Sequence, residues 1–72
     1  MPSTLSPEKV IKTRTSLGCS VEQFAKLVDV SFETVRSWES GRRGCKGPAA
    51  LLIRLLSEHP RSGEIISFLK NR

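Results

Sequence analysis

Polar and aromatic side chains recur between residues 32 and 40 at the spacing of one helix face. With side chains about 100° apart, Val35 and Trp38 point to one side, and a mixed arc of donors, acceptors and one aromatic ring points to the other. The members of this arc are Phe32, Glu33, Arg36, Ser37 and Ser40. A helix fits the DNA major groove, where arginine binds guanine bidentately and glutamate accepts from cytosine N4. The arc therefore predicts that this helix reads duplex DNA.

A shorter helix is predicted immediately before this one. Ser20 is a good N-cap, and Gln23 has the spacing that completes a capping box. Asp29 breaks the helical pattern, Ser31 can cap the next helix, and Gly41 can end it in a left-handed conformation. Two helices joined by a turn of about three or four residues, the second polar on its outer face, describe a helix-turn-helix.

This stretch resembles the Cro and phage-repressor (XRE) family of helix-turn-helix DNA-binding proteins, and also the helix-turn-helix antitoxins. The resemblance covers roughly residues 6–58, most of the chain. The matching residues are Gln23, Phe24, Ala25, Val28, Ser31 and the run Thr-Val-Arg-Ser-Trp-Glu-Ser-Gly-Arg-Arg at 34–43. Where the family usually has glycine in the turn, this chain has Asp29. Aspartate tolerates a left-handed conformation better than most residues, so we expect the turn to form.

The resemblance implies an all-α, five-helix, lambda-repressor-like fold that occupies the 72 residues as one domain. We predict helices at about residues 7–17, 21–28, 32–40, 48–58 and 63–70. Ser6 should cap the first helix, with Leu5 and Val10 as a hydrophobic staple. We expect residues 1–5 to fray and Ser62 to cap the last helix.

The resemblance and the helical arc together assign contacts to DNA. The predicted base contacts come from Phe32, Glu33, Arg36 and Ser37. The predicted phosphate contacts come from Ser31, Thr34, Ser40, Arg42, Arg43 and Lys46. Phe32 matches the family's first reading position, where its ring would touch a thymine methyl; the alternative is packing of the ring against Val35. Val21 stands where the family often has a polar phosphate contact, so we expect backbone groups to supply that contact.

The charge distribution agrees with a DNA partner. Twelve lysines and arginines face seven acids, and between Arg36 and Lys46 there are four basic residues and one acid, Glu39. A clustered basic stripe suggests a polyanionic partner, and its position beside the reading helix favours DNA. The alternatives are a basic solvated surface and, for the Gly-rich loop that follows the helix, a flexible solvated loop.

Arg14 and Glu39 form a predicted structural ion pair. In the resemblance, Arg14 matches a position whose arginine pairs with the glutamate near the end of the second motif helix, here Glu39. The helical arc supports the pair independently, because Glu39 lies at the border between Val35 and the outer face, where a partly buried carboxylate needs a partner. We expect the pair to fix the orientation of the reading helix.

The last two predicted helices carry more apolar surface than one small domain covers. The fourth is apolar nearly all round, which indicates burial on more than one side. We therefore predict a twofold homodimer. The predicted interface residues are Leu55, Ile65, Ile66, Phe68 and Leu69. Two reading helices would then meet major-groove faces about 34 Å apart, so the operator should be an inverted repeat in double-stranded DNA.

Other classes of function find little support in the sequence. There is no nucleophile with a nearby base and no metal-ligand spacing, so we expect no enzyme activity, no cofactor and no metal. Cys19 and Cys45 are expected to be free thiols, Cys19 packed and Cys45 exposed in its loop. No signal peptide or membrane span is evident, which predicts a cytoplasmic protein associated with the nucleoid through DNA.

The sequence leaves two functions open. The first is a dimeric repressor that binds an inverted-repeat operator and autoregulates its own operon. The alternative is an antitoxin-type protein that binds and neutralises a partner toxin. A neutraliser usually needs extra chain to wrap its partner, and here the five helices use almost every residue, which favours the stand-alone repressor. Such regulators occur in prophages, in toxin operons and beside anti-CRISPR genes.

Overall fold

The computed structural model describes residues 4–59 and 61–71, and for Ser62 the backbone alone. The chain forms five α-helices, α1 (Pro7–Ser16), α2 (Val21–Leu27), α3 (Phe32–Ser40), α4 (Pro48–Glu58) and α5 (Ser62–Lys70). Within those ranges the extended pairing consists of one isolated bridge between Leu5 and Cys45. The all-α, five-helix fold predicted from the sequence is confirmed.

Side-chain caps start the first three helices. Ser6 Oγ accepts from the backbone N–H of Lys9 at 3.1 Å and begins α1. At α2 the capping box is complete, because Ser20 Oγ accepts from the N–H of Gln23 and Gln23 Oε1 accepts from the N–H of Ser20. Ser31 begins α3 by accepting from the next turn at 3.2 Å. Each cap satisfies a backbone donor that would otherwise lack a partner.

Two left-handed residues set the direction of the chain on either side of α3. Asp29 has φ 62° in the turn after α2, so aspartate occupies the conformation for which the family usually has glycine. Gly41 has φ 82° at the end of α3, where its N–H donates to the carbonyl oxygen of Trp38 at 3.3 Å. The turn before α3 and the turn after it are therefore both specified by local sequence.

The core lies among the inner faces of α1 to α4. Its buried apolar residues are Leu5, Val10, Phe24, Ala25, Leu27, Val28, Val35, Trp38, Cys45, Ala50, Ile53 and Leu56. Thr13 is buried with them, and its hydroxyl donates to the carbonyl oxygen of Lys9 at 2.8 Å. Because the buried hydroxyl has a hydrogen-bond partner, its burial costs little free energy.

Two sequence predictions about the loops are wrong. Leu5 does not fray and Cys45 is not exposed, because the chain after α3 folds back against the segment before α1. The N–H of Leu5 donates to the carbonyl oxygen of Cys45 at 2.7 Å, and both side chains are buried. Burial raises the pKa of the Cys45 thiol to about 11. The predicted fraying of residues 1–3 lies outside the described residues.

The fifth helix begins differently from the prediction. It starts at Ser62, Arg61 occupies the N-cap position, and no side-chain hydrogen bond caps it. His59 Nδ1 accepts from the backbone N–H of Arg61 at 2.9 Å across the turn between α4 and α5. Partly buried Ile65, Ile66 and Leu69 pack against the core from α5. These three apolar side chains and the turn that follows α4 thus hold α5 against the core.

Candidate nucleic-acid interface

The outer face of α3 is an open surface of side chains that carry donors, acceptors and one ring. Val35 and Trp38 are buried beneath it and fix the helix to the core. The surface encloses a shallow groove of about 510 Å³. The groove is lined by Phe32, Glu33, Arg36, Ser37, Ser40, Gly41 and Arg42. All four predicted base-reading residues and two of the predicted phosphate contacts, Ser40 and Arg42, therefore lie together.

Phe32 and Arg36 are in contact on this surface. The guanidinium carbon Cζ of Arg36 lies over the Phe32 ring, 5.6 Å from its centroid. The ring itself is 39% exposed. This cation–π contact joins two neighbouring turns of the helix and was not anticipated from the sequence, although the spacing of four residues allows it.

The Arg14–Glu39 ion pair is present and bidentate. Arg14 Nε lies 2.6 Å from Glu39 Oε2, and Nη2 lies 3.2 Å from Oε1. The two side chains are only 17% and 14% exposed. Arg14 also donates through Nη1 to the carbonyl oxygen of Cys19 at 3.1 Å. One guanidinium thus connects α1, the segment before α2, and the last turn of α3.

The hydroxyls predicted to bind phosphate already have partners within the chain. Ser31 Oγ lies 2.7 Å from Thr34 Oγ1 and also caps α3. Ser40 Oγ donates to the carbonyl oxygen of Ser37 at 3.2 Å. Ser31 and Ser40 are exposed and Thr34 is half-buried. A phosphate at any of these sites would share or replace an existing hydrogen bond.

The loop after α3 presents its cations to solvent. Arg42, Arg43 and Lys46 are all exposed, and Arg42 also lines the groove on α3. The backbone N–H groups of Arg42 and Arg43 both donate to the carbonyl oxygen of Ser37, at 3.0 and 3.2 Å. These two amides therefore already have partners within the chain, and the side chains of Arg42 and Arg43 are the groups available to a polyanion.

Comparison with known proteins agrees with this geometry. Residues 10–53 match the helix-turn-helix family, a range that includes α2, α3, the turn between them and both partners of the ion pair. This chain belongs to the helix-turn-helix family. It is of the Cro and phage-repressor (XRE) type of DNA-binding helix-turn-helix domain.

A curated relative extends the similarity beyond that range. The chain is 33% identical over 58 residues to Antitoxin HigA-2 of Vibrio cholerae serotype O1. The aligned part covers 81% of this chain and 56% of the relative. The helix-turn-helix chain therefore spans little more than half the length of that protein.

The apolar residues predicted to form a dimer interface divide into two groups. Leu55 and Phe68 are exposed, at 44% and 72%. Ile65, Ile66 and Leu69 are instead partly buried against the chain's own core. Sequence reasoning missed Leu51, which is 62% exposed. Its spacing of four residues from Leu55 on α4 was the signal, because such residues share a helix face.

Other kinds of site find no support in the described part of the chain. No cluster of three or more histidine, cysteine, aspartate or glutamate side chains in residues 4–59 and 61–71 is arranged to hold a metal ion. Cys19 and Cys45 are free thiols, and Cys19 packs against the core as predicted. None of the helices in these ranges has the length and apolar character needed to cross a membrane.

Proposed function

We propose that this helix-turn-helix protein is a sequence-specific repressor that binds an inverted-repeat operator as a homodimer and autoregulates its own operon. The observation that carries the proposal is the outer face of α3, where Phe32, Glu33, Arg36 and Ser37 line one groove. Arginine and glutamate recognise guanine and cytosine edges in the major groove. Binding of chromosomal DNA in this way is a cytoplasmic, nucleoid-associated activity.

The orientation of α3 is the second part of the proposal. Reading of base edges requires side chains held to within a fraction of an ångström, which a helix packed on a rigid support provides. Val35 and Trp38 supply the apolar support, and the Arg14–Glu39 pair fixes the last turn. We assign this pair a positioning role, since both side chains are mostly buried and the pair joins α1 to the last turn of α3.

The basic loop supplies the affinity that is independent of sequence. Arg42, Arg43 and Lys46 stand beside the reading face, and the chain carries a net charge of +5. Each contact with a phosphate releases a counterion and makes binding depend on salt. Ser31, Thr34 and Ser40 would add hydroxyl contacts at the edge of the same groove.

A dimer completes the proposal. One recognition helix contacts only a few base pairs, which gives too little specificity among the competing sites of a genome. Leu51, Leu55 and Phe68 present apolar side chains to solvent on α4 and α5. Pairing of this surface with a second copy would bury it, and Ile65, Ile66 and Leu69 would support it from below.

The test is a gel-shift titration with the protein's own promoter and a scrambled duplex, followed by footprinting. We expect tighter binding to the promoter and two protected major-groove faces about one helical turn apart. Sedimentation of the complex should give two chains per operator. Equal affinity for promoter and scrambled DNA, or a monomer that protects a single half-site, would contradict the proposal.

A second candidate function is toxin neutralisation, and the similarity to Antitoxin HigA-2 favours it. The exposed apolar side chains of Leu51, Leu55 and Phe68 would then contact the product of a neighbouring gene. Co-expression of the chain with that product separates the candidates. A stoichiometric complex that relieves growth arrest supports neutralisation; a chain that binds its promoter and ignores its neighbours supports the stand-alone repressor. The neighbouring genes also reveal whether the locus belongs to a prophage, a toxin operon or an anti-CRISPR region.

A further inference from the structure

The contact between Phe32 and Arg36 brings an aromatic ring and a guanidinium together on the exposed, polar face of α3. Arg36 Cζ lies over the ring at 5.6 Å from its centroid, and the ring is more than one-third exposed. Its exposure beside an arginine suggests that both side chains contact the same partner.

Arg36 has no competing partner on its own helix. Glu33 lies three residues earlier, at a spacing that allows an ion pair. Within residues 4–59 and 61–71, however, no ion pair joins Glu33 to Arg36. The ring face is thus the contact that restrains the guanidinium of Arg36, and its N–H donors remain available.

We propose that Phe32 and Arg36 read two neighbouring base pairs as one unit, a guanine bound by Arg36 and a pyrimidine 5-methyl group covered by the Phe32 ring. In ordinary DNA that methyl belongs to thymine. This inference rests on the proposed function, since it names the bases that the reading face selects. It also makes Phe32 a positioning residue for Arg36, in addition to its own contact.

The distances agree with neighbouring base pairs. Stacked bases are about 3.4 Å apart, and the ring centroid lies 5.6 Å from the guanidinium carbon. This separation is shorter than two base steps, which is compatible with contacts to neighbouring base pairs. Guanine offers O6 and N7 to an arginine, and thymine places its methyl in the same groove, where an apolar side chain covers it. The Phe32 ring would therefore contact the thymine methyl directly and restrain Arg36 at the guanine.

The first experiment identifies the half-site by selection from a pool of random duplexes with the unmodified protein. We expect every enriched half-site to share one base step, with a guanine at one fixed position and a thymine fixed at the neighbouring position. Deoxyuridine is then substituted for that thymine, which removes one methyl group and nothing else. Loss of one buried methyl corresponds to about a fourfold loss of affinity per half-site.

Two variants separate the two roles of the ring. Phe32→Ala removes the apolar contact and the cation–π contact, so it should bind thymine and uracil duplexes equally. Phe32→Leu keeps an apolar side chain at the same position, so it should keep the preference for thymine. Phe32→Leu should nevertheless bind the guanine-containing half-site about two to five times more weakly, because the arginine loses the ring face. When Arg36 is already replaced by alanine, Phe32→Leu should cause no further loss of affinity for the guanine-containing half-site.

The outcomes distinguish this inference from the proposed function. If selection enriches no sequence, the proposed function fails. If it enriches half-sites that lack adjacent guanine and thymine, or if uracil binds as well as thymine, the paired reading is overturned while sequence-specific binding stands. If Phe32→Leu and Arg36→Ala act additively, Phe32 does not position Arg36. Circular dichroism of each variant confirms that α3 is retained.

Discussion

α3 and α5 have the same length of nine residues, yet the chain holds them in different ways. α3 has a side-chain cap at its start, a left-handed glycine at its end, two buried residues and a bidentate ion pair. α5 has no side-chain cap, its described side chains include none that is fully buried, and Phe68 is 72% exposed.

The difference indicates which part of the molecule is complete within one chain. In the proposed function α3 reads DNA and must be rigid before it meets its ligand, and its cap, its buried residues and its ion pair provide that rigidity. α5 has an inner edge that packs on the core and an outer face that has no cover there. We infer that α3 carries recognition and that α5 with the outer face of α4 carries association.

The largest expected effect comes from breaking the ion pair that holds α3. Glu39→Ala strands Arg14, which is mostly buried, and should lower the free energy of unfolding by about 3 kcal/mol. In a domain of this size that is a drop in melting temperature of at least about 10 °C. The matched control is Glu64→Ala, which breaks the Arg61–Glu64 pair on α5, about 70% exposed. Glu64→Ala should change the free energy of unfolding by less than about 0.5 kcal/mol. Equal melting temperatures for Glu39→Ala and Glu64→Ala would show that the Arg14–Glu39 pair does not stabilise the fold.

The next effect concerns association through the outer face of α4 and α5. Leu55→Glu with Phe68→Glu should give monomers in sedimentation and weaken operator binding more than about tenfold, because charges prevent burial of that face. The helical circular dichroism spectrum should persist, since both side chains are exposed. Ile66→Glu with Leu69→Glu makes a contrasting pair: both residues pack on the core, so these charges should also unfold the chain. A Leu55/Phe68 variant that remains dimeric would assign association elsewhere.

A smaller effect is expected from the loop next to α3. Arg42→Ala and Arg43→Ala should each weaken operator and random DNA alike. Each should also reduce the salt dependence by about one unit of slope, because one fewer counterion is released. Arg61→Ala at the start of α5 removes the same charge from an exposed position away from the groove. An equal change of slope for Arg61→Ala would mean that general charge, and not this loop, contacts DNA.

The smallest expected effect is a difference between the two thiols, which report on the two regions. Cys45 is buried after α3, and burial raises its pKa to about 11, so at pH 8 it should resist alkylation. Cys19 is half-buried in a cleft lined also by Leu69 and Lys70 of α5. We expect one thiol to react in the folded protein and two in denaturant. Rapid reaction of Cys45 would show that the loop after α3 opens easily.

The same shift of pKa predicts a dependence of stability on pH. Between the ordinary thiol value of 9.0 and about 11, the folded state holds the Cys45 proton while the unfolded state releases it. Stability should therefore fall as pH rises through this window and be unaffected by this group below it. The Cys45 contribution is measured as the difference between the parent and Cys45→Ala in melts from pH 8 to 11.

Features governed by neighbouring residues were predictable from the sequence. The capping box of Ser20 and Gln23, the cap at Ser31 and the left-handed turns at Asp29 and Gly41 depend on a few adjacent positions. Helix caps and φ preferences depend on residues within one turn, so they can be predicted without knowledge of the tertiary structure. Helical periodicity likewise identified the groove-lining face of α3, because Val35 and Trp38 define the opposite side.

Features governed by distant contacts were not predictable in this way. Burial of Cys45 depends on a backbone hydrogen bond to Leu5, 40 positions earlier in the chain. The apolar residues of α5 could be assigned to a helix, but which of them face the core depends on how α5 lies on α2 and α4. Ile66 and Phe68 consequently have opposite environments despite similar hydrophobicity. Periodicity defines faces of a helix and leaves open what covers each face.

The most direct test of the division between recognition and affinity is the binding of Arg36→Ala and Arg42→Ala to the operator and to scrambled DNA at one salt concentration. Arg36→Ala should cost about 1–3 kcal/mol on the operator, relax preference at one base pair per half-site and leave scrambled DNA nearly unaffected. Arg42→Ala should weaken both duplexes by the same factor. If Arg36→Ala also weakens both duplexes equally, Arg36 contacts phosphate, and α3 does not read the sequence in the way proposed.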